Sequence, residues 1–246
     1  MAIPNDSTPA GELPGLKRYL KTESARLQEW HRDGGGGREV CLGRSQMIDT
    51  LLRALFEWTL ASLKLPDNAR KLKVSLVAIG GYGRAELSPH SDIDIMLLHN
   101  GSAPSLTRIY RHPLLEKLTG TGGLIYTLYD LGMKVGHSVR NIQDAVNIAN
   151  DDMKTKTSLI ESRLITGDTA LFGQFCKRLE ARCVRNHVDD YLKMRIGDQD
   201  TRRVKFGNSA LLQEPNIKNG CGGLRDYQNL LWMTHFKYGT RTLEQL

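Results

Sequence analysis

The chain has 246 residues, of which 40% are hydrophobic and 25% are charged, and this composition is typical of a globular protein rather than a disordered one. The net charge of +7 favours an anionic partner, such as a nucleotide, a nucleic acid or an acidic protein surface. No apolar run approaches the roughly 20 residues that span a bilayer, no secretory signal is visible at the N-terminus, and the four cysteines lack a CxxC pair. We therefore expect a cytoplasmic protein with no membrane partner.

Hydrophobic periodicity predicts two helices near the N-terminus, over residues 16–30 and 40–63, separated by the sequence DGGGGRE. The period then changes to short apolar runs rich in β-branched residues, which predict strands. These predicted strands cover residues 73–80, 92–99, 123–130 and 132–139, with a helix near 105–118 after the second of them.

Beyond Asn141 the pattern is helical almost to the end of the chain. The exceptions are a loop rich in Gly and Asn over 207–223 and short breaks near Gly167 and Gly197. The sequence therefore predicts an α+β fold, in which a small mixed β-sheet core is flanked by helices and followed by an α-helical region. We place the boundaries at 1–66 for the N-terminal helical segment, 67–145 for the core, and 146–246 for the helical region.

Two aspartates one residue apart, Asp92 and Asp94, stand in the apolar strand DIDIMLLH. Strand side chains alternate between faces, so both carboxylates project together while Ile93 points into the core. Such a pair raises the pKa of each carboxyl group unless a cation lies between them. A solvated strand edge would explain one aspartate better than two, so we interpret the pair as ligands of Mg²⁺ that leave positions open for phosphate oxygens.

A Gly-Gly turn precedes the aspartates by ten residues, in VAIGGYGR. Gly80 and Gly81 lack Cβ atoms, so the backbone can approach a phosphate and direct N–H groups at it. This turn and the Asp-x-Asp strand together resemble the nucleotidyltransferases of the DNA polymerase β superfamily. The resemblance implies a triphosphate site with two metal ions.

The superfamily also requires a third carboxylate on a neighbouring strand. The candidates downstream are Asp130, at the end of the predicted strand 123–130, and Asp144, in the first turn of a predicted helix. We choose Asp130, so the predicted catalytic and metal-binding residues are Asp92, Asp94 and Asp130.

Three segments in order narrow the resemblance: GGYGRAELSPHSDIDIMLL, LYDLGMKVGHSVR and EPNIKNGCGGLRDYQNLLW. Together they are similar to the catalytic region of the bacterial PII-protein uridylyltransferase/uridylyl-removing enzymes, and the third is also similar to glutamine synthetase adenylyltransferase. The resemblance covers about residues 75 to 235. It implies a nucleotidyltransferase that transfers UMP from UTP to a tyrosine of the PII nitrogen-regulatory protein.

The same resemblance implies the nucleotide-binding residues. Gly80, Gly81 and Arg84 match the phosphate turn, and Ser91 could add a hydroxyl contact. Lys218 and Arg225 in the third segment, with Gly222, Gly223 and Asp226, match a Gly-rich loop that opens a helix and could face a triphosphate. A tightly packed loop and helix cap is the alternative interpretation of that segment.

Two other functions remain open on the sequence alone. The first is a nucleotidyltransferase-like regulatory module without activity, although all three carboxylates are present. The second is a related transferase that acts on another protein or on RNA; against RNA, no basic aromatic platform accompanies the core. We do not expect nucleic acid as a partner. None of the seven histidines is followed by aspartate, so the His-Asp pair of the family's phosphohydrolase domain is absent from this sequence.

Overall fold

The computed structural model describes residues 9–63, 72–101, 112–240 and 242. It divides the chain into two compact units: residues 1–145 with 158–176, and residues 146–157 with 177–246. The fold is α+β, with a small mixed sheet flanked by helices, as the sequence predicted. Within the described ranges no helix is long and apolar enough to cross a membrane.

Two long helices open the first unit, α1 (Pro9–Arg32) and α2 (Gly37–Ser62), and both were predicted. Helix α2 buries Ile48, Leu51 and Leu55 completely. Their spacing of three and four residues is that of one helical face, and this face packs into the core against the sheet. The helices are therefore part of the unit that contains the sheet.

The four-stranded sheet has the order β3-β2-β1-β4. Its strands are β1 (Val74–Ala78), β2 (Ile93–His99), β3 (Val135–Asn141) and β4 (Arg163–Gly167). Strand β1 pairs antiparallel with β2 and with β4, whereas β2 and β3 are parallel. The end of β1 and the beginnings of the other three strands consequently meet at one edge of the sheet, which we call the site edge.

A one-turn helix, α3 (Gly80–Gly83), follows β1. The predicted strand over 123–130 is wrong, because this segment forms helix α5 (Leu124–Asp130) after helix α4 (Pro113–Thr119). Leu124, Ile125 and Leu128 are fully buried while Tyr126 and Tyr129 are exposed. That spacing is helical. Packing of the apolar face therefore favours a helix here, although the residues themselves have high β-propensity. Much of the helix predicted near 105–118 lies outside the described residues; the remainder corresponds to α4.

The region after Asn141 is mostly helical, as predicted, in both units. Its helices are α6 (Ile142–Asp151), α7 (Met153–Ile160), α8 (Thr169–Leu179), which continues in a π-helical turn (Glu180–Val184), α9 (Val188–Phe206) and α10 (Leu224–Tyr238). The sequence did not predict β4, a five-residue edge strand. It also predicted a break near Gly197 that does not exist, since α9 runs through this residue.

Helix α9 continues past Gly197 because it packs against α10 before that position and its Arg202 donates to Asp226 of α10 after it. Tyr191 stacks on Phe236 of α10 with ring centroids 3.6 Å apart. Arg195 donates to the side-chain oxygen of Asn229, and its guanidinium lies 4.4 Å from the ring centre of Trp232. These contacts outweigh the roughly 1 kcal/mol by which glycine disfavours a helix interior relative to alanine.

Candidate active site

The two aspartates lie at the site edge. Asp92 is exposed immediately before β2, and Asp94 is half-buried as the second residue of that strand. Burial, and next the neighbouring Asp92 carboxylate, raise the pKa of Asp94 above its usual value. A cation between the two carboxylates would relieve this repulsion, and their oxygen donors fit a hard cation such as Mg²⁺.

Asp94 lies directly beside Gly136, its partner in the parallel register between β2 and β3. A Cβ atom on Gly136 would overlap Oδ1 of Asp94. The glycine therefore leaves the space into which the Asp94 carboxylate extends. No local pattern singles out Gly136, because the register between the two strands is a tertiary property.

In the part of the chain that the structure describes, no third carboxylate joins the pair. Among the described residues, no group of three or more His, Cys, Asp or Glu side chains is placed to hold a metal ion. Asp130 is exposed at the end of helix α5, so the strand on which its assignment rested does not exist. Its role as a ligand stays a prediction. Asp144 lies in the first turn of α6, as the sequence predicted. Its backbone N–H donates to the side-chain oxygen of Asn141, which caps the helix.

The glycine turn (Gly80–Arg84) is the second component of the site. It follows β1, and the N–H of Ile79 donates to the carbonyl of Asp94 at 3.0 Å, so the turn begins beside the carboxylate strand. Gly80 has φ of +58°, which favours glycine. Gly81 has no close neighbour that a methyl group would strike; the nearest atom is Nη2 of Arg84, 3.6 Å from the position of such a Cβ. The backbone of Gly81 is thus open to a ligand.

Arg84 is held by two carboxylates. Its Nε donates to Glu86 at 2.7 Å, and its Nη1 donates to Glu161. Burial by itself would lower the pKa of Arg84, but Glu161 and Glu86 outweigh this effect and raise the pKa. The guanidinium is therefore fixed in place with Nη2 directed toward Gly81.

Two serines stand near these components. Ser91, which was predicted to contact the phosphates, is exposed and directly precedes Asp92. Ser158 in α7 was not predicted: its Oγ lies 3.2 Å from the position that a Cβ on Gly80 would occupy. Its hydroxyl is thus available at the start of the glycine turn.

Sequence reasoning missed the segment 158–163 because it was interpreted as part of a continuous helical region. The structure ends α7 at Ile160 and begins β4 at Arg163. This places Ser158, Glu161 and Arg163 at the site edge. The available signal was the cluster of polar residues in SLIESR after an apolar helical stripe.

The third motif lies in the second unit, in the loop 207–223 and the start of α10. Asp226 accepts hydrogen bonds from the N–H of Gly222 and from both terminal nitrogens of Arg202. It therefore joins the loop to α9, which favours the interpretation as a packed loop and helix cap for this residue. Arg225 lies 5.2 Å from the ring centre of Trp232, and Lys218 is exposed on the loop.

A small mixed sheet that places a carboxylate pair beside a glycine turn is the arrangement implied by the resemblance to nucleotidyltransferases. Residues 190–246 match the family model described as GlnD PII-uridylyltransferase. The chain is also 34% identical over 214 residues to a bifunctional uridylyltransferase/uridylyl-removing enzyme of Rhodospirillum rubrum, and 33% identical over 211 residues to one of Erythrobacter litoralis.

These matches cover 86% and 85% of this chain and confirm the resemblance that the three motifs indicated. The chain is a relative of the bifunctional uridylyltransferase/uridylyl-removing enzymes over most of its own length. It spans 22% of the length of each of these two relatives.

Proposed function

We propose that this chain is a Mg²⁺-dependent nucleotidyltransferase region that transfers UMP from UTP to a tyrosine of a PII protein. The observation that carries the proposal is the position of Asp92 and Asp94 beside the open backbone of the glycine turn, at one edge of one sheet. The names of the matched relatives support uridylyl transfer as the reaction.

Asp92 and Asp94 would hold Mg²⁺. Mg²⁺ commonly binds proteins through one or two carboxylates and takes its remaining ligands from water and substrate phosphates. A pair without a third carboxylate therefore suffices for one ion. When bound, the ion neutralises phosphate charge that develops during an in-line displacement at the α-phosphate.

The glycine turn would bind the triphosphate. Backbone N–H groups at Gly80 and Gly81 and the Nη2 group of Arg84 would supply donors for phosphate oxygens, since Nη2 lies 3.6 Å from the position of a Cβ on Gly81. Ser91 and Ser158 add hydroxyl groups next to the carboxylates and to the turn. These contacts position the α-phosphate for attack, and positioning is a large part of catalysis of phosphoryl and nucleotidyl transfer.

Lys218 and Arg225 would bind nucleotide, as the resemblance of the third motif implies. Asp226 would have a structural role there, because its carboxylate is occupied by Arg202 and Gly222.

The test is a transfer assay with purified chain, Mg²⁺, a PII protein and either labelled UTP or labelled ATP. We expect label from UTP on PII, and no label on a PII variant whose acceptor tyrosine is replaced by phenylalanine. Asp92→Asn and Asp94→Asn should each lower the rate roughly a thousandfold or more, since about 4 kcal/mol of transition-state stabilisation depends on the ion.

Both variants should keep the fold, because removing one of two repelling carboxylates does not cost a stabilising contact. Circular dichroism and thermal unfolding check this point. Near-normal transfer by either folded variant would show that the metal site is elsewhere. Transfer from ATP in place of UTP would show that the substrate is ATP.

A further inference from the structure

The glycine turn is connected to helix α2 by a polar network that surrounds a buried carboxylate. The hydroxyl of Tyr82, in the middle of the turn, donates to Asp49 Oδ1 of α2 at 2.6 Å. Arg163, the first residue of β4, donates to both oxygens of the same carboxylate at 2.6 and 3.1 Å, and to the carbonyl of Tyr82 at 3.3 Å. Tyr82 and Asp49 are 1% and 5% exposed. We call these three residues the first brace.

A second brace lies on the other end of the turn and consists of Arg84, Glu86 and Glu161. The Glu161 side chain is 8% exposed and forms an ion pair with Arg84. The backbone is in close contact here as well, since a Cβ on Gly83 would overlap the carbonyl oxygen of Glu161 and lie 3.0 Å from that of Ala78. The turn therefore has no room to shift toward the segment 161–163.

Both braces act on a backbone that is strained. Ala85, directly after the turn, has φ of 60°, a conformation that costs a residue with a Cβ on the order of 1–2 kcal/mol. Strained backbone persists only where its surroundings determine it strongly, and such sites commonly bind ligands. The turn itself is closed by bonds from the N–H of Arg84 to the carbonyl of Gly80 and from the N–H of Glu86 to the carbonyl of Gly81.

Stability alone does not account for the first brace. The Asp49 carboxylate is buried and its partner Arg163 is 29% exposed. Removing such a carboxylate from water is costly even when it is paired, and an apolar residue of similar volume is often as stable. What the ion pair adds is a fixed geometry: one carboxylate determines where the Tyr82 ring lies, and Arg163 fixes the carbonyl of the same residue. A binding site made of backbone N–H groups needs this kind of fixed geometry before the ligand arrives.

We propose that Asp49, Glu161 and Arg163 are positioning residues for nucleotide binding, which act through Tyr82 and Arg84 to hold the glycine turn in its binding conformation. This inference rests on the proposed function, because it assumes that the turn binds the triphosphate. It extends the site to α2 and β4, neither of which carries a motif.

The experiment compares Asp49→Asn, Tyr82→Phe and Glu161→Gln with the wild-type chain. Calorimetry with UTP and Mg²⁺ should show a dissociation constant raised about tenfold or more for Asp49→Asn and Glu161→Gln, and a smaller increase for Tyr82→Phe, which loses one hydrogen bond and keeps its ring. In the transfer assay, KM should change more than kcat, since Asp92 and Asp94 are untouched.

A destabilised protein could also lose affinity, so a matched control is needed. Leu118→Ala removes a fully buried side chain of α4 that belongs to neither brace. It should lower the unfolding temperature by as much as the brace variants or more, while leaving UTP affinity unchanged. Arg163→Lys should retain more affinity than Arg163→Met because it keeps a positive charge near Asp49.

Hydrogen exchange provides a measurement without nucleotide. The amides of Arg84, Ala85 and Glu86, which close the turn, should exchange faster in Asp49→Asn and Glu161→Gln than in Leu118→Ala. If Asp49→Asn or Tyr82→Phe does not fold well enough for calorimetry, Glu161→Gln carries the comparison alone.

The two proposals fail in different ways. Wild-type chain that binds UTP, together with brace variants that bind it equally well and exchange at the control rate, would overturn the positioning role only. Wild-type chain that binds no nucleotide in the presence of Mg²⁺ would overturn the proposed function, and the positioning role with it.

Discussion

Gly81→Ala is the most direct test of the glycine turn, because it adds one methyl group at an open position. The added Cβ would lie 3.6 Å from Nη2 of Arg84 and 3.8 Å from the carbonyl oxygen of Glu86, which are ordinary van der Waals contacts. The φ of Gly81 is not positive, so alanine fits the backbone without strain. Alanine is also favoured over glycine in a helix by up to about 1 kcal/mol. The variant should therefore be as stable as the wild-type chain, or slightly more stable.

Nucleotide binding should behave in the opposite way. The methyl group would occupy the space between the backbone and Arg84, where the proposed function places a phosphate oxygen. One hydrogen bond to a charged group contributes about 1.5–3 kcal/mol. Losing one such contact should raise the dissociation constant for UTP about tenfold to a hundredfold.

Gly83→Ala is the control, since its Cβ would overlap the carbonyl oxygen of Glu161. Overpacking of this kind typically costs about 1–3 kcal/mol, so Gly83→Ala should lower the unfolding midpoint where Gly81→Ala does not. Urea titration followed by circular dichroism measures stability, and calorimetry with Mg²⁺ and UTP measures affinity. Wild-type UTP affinity in Gly81→Ala would refute phosphate binding at this position. Unfolding of Gly81→Ala as readily as Gly83→Ala would refute the open space at Gly81.

Three further predictions concern other positions. Gly136→Ala should displace the Asp94 carboxylate and weaken Mg²⁺-dependent UTP binding, measured by calorimetry at varied Mg²⁺; unchanged Mg²⁺ dependence would argue against an ion at Asp94. Burial lowers the pKa of Lys156, so folding destabilises its charged form, and this cost disappears as the pH rises toward the ordinary lysine pKa of about 10.4. Lys156→Met should therefore unfold at a higher urea concentration than the wild-type chain at pH 7, and this difference in urea midpoint should be smaller at pH 10. A difference in midpoint that does not change with pH would show that the buried charge of Lys156 is not its cause. Asp226→Asn should lower the unfolding temperature, because Asp226 bonds Arg202. Lys218→Ala should leave the unfolding temperature unchanged and weaken UTP binding, because Lys218 is exposed. A destabilised Lys218→Ala together with an Asp226→Asn that only loses UTP affinity would assign the structural role to Lys218 and the binding role to Asp226.

The sequence by itself determined the helices α1 and α2 and three of the four strands, and it indicated the candidate carboxylates and glycines of the site. These features are local. A helical stripe such as Ile48, Leu51 and Leu55 repeats within a few residues, and the Asp-x-Asp alternation and the Gly-Gly turn depend on backbone geometry over a similarly short range.

The tertiary structure decided the rest. Segment 123–130 has strand-like composition, yet it became helix α5 because its apolar face fits the core, and the strand end proposed for Asp130 disappeared with it. Strand β4 has only five residues and lies at the edge of the sheet. Its sequence therefore shows little of the alternation between apolar and polar residues that predicts a strand. Its pairing with β1 places Arg163 beside Ala78.

Strand register likewise placed Gly136 beside Asp94, and the contacts of Asp49 and Glu161 with the glycine turn span 33 and 77 residues of sequence. Local composition does not encode which distant residues meet. Only the packing of the whole unit brings a buried aspartate of α2 to the hydroxyl of Tyr82, because both groups must find a hydrogen-bond partner once they are removed from water.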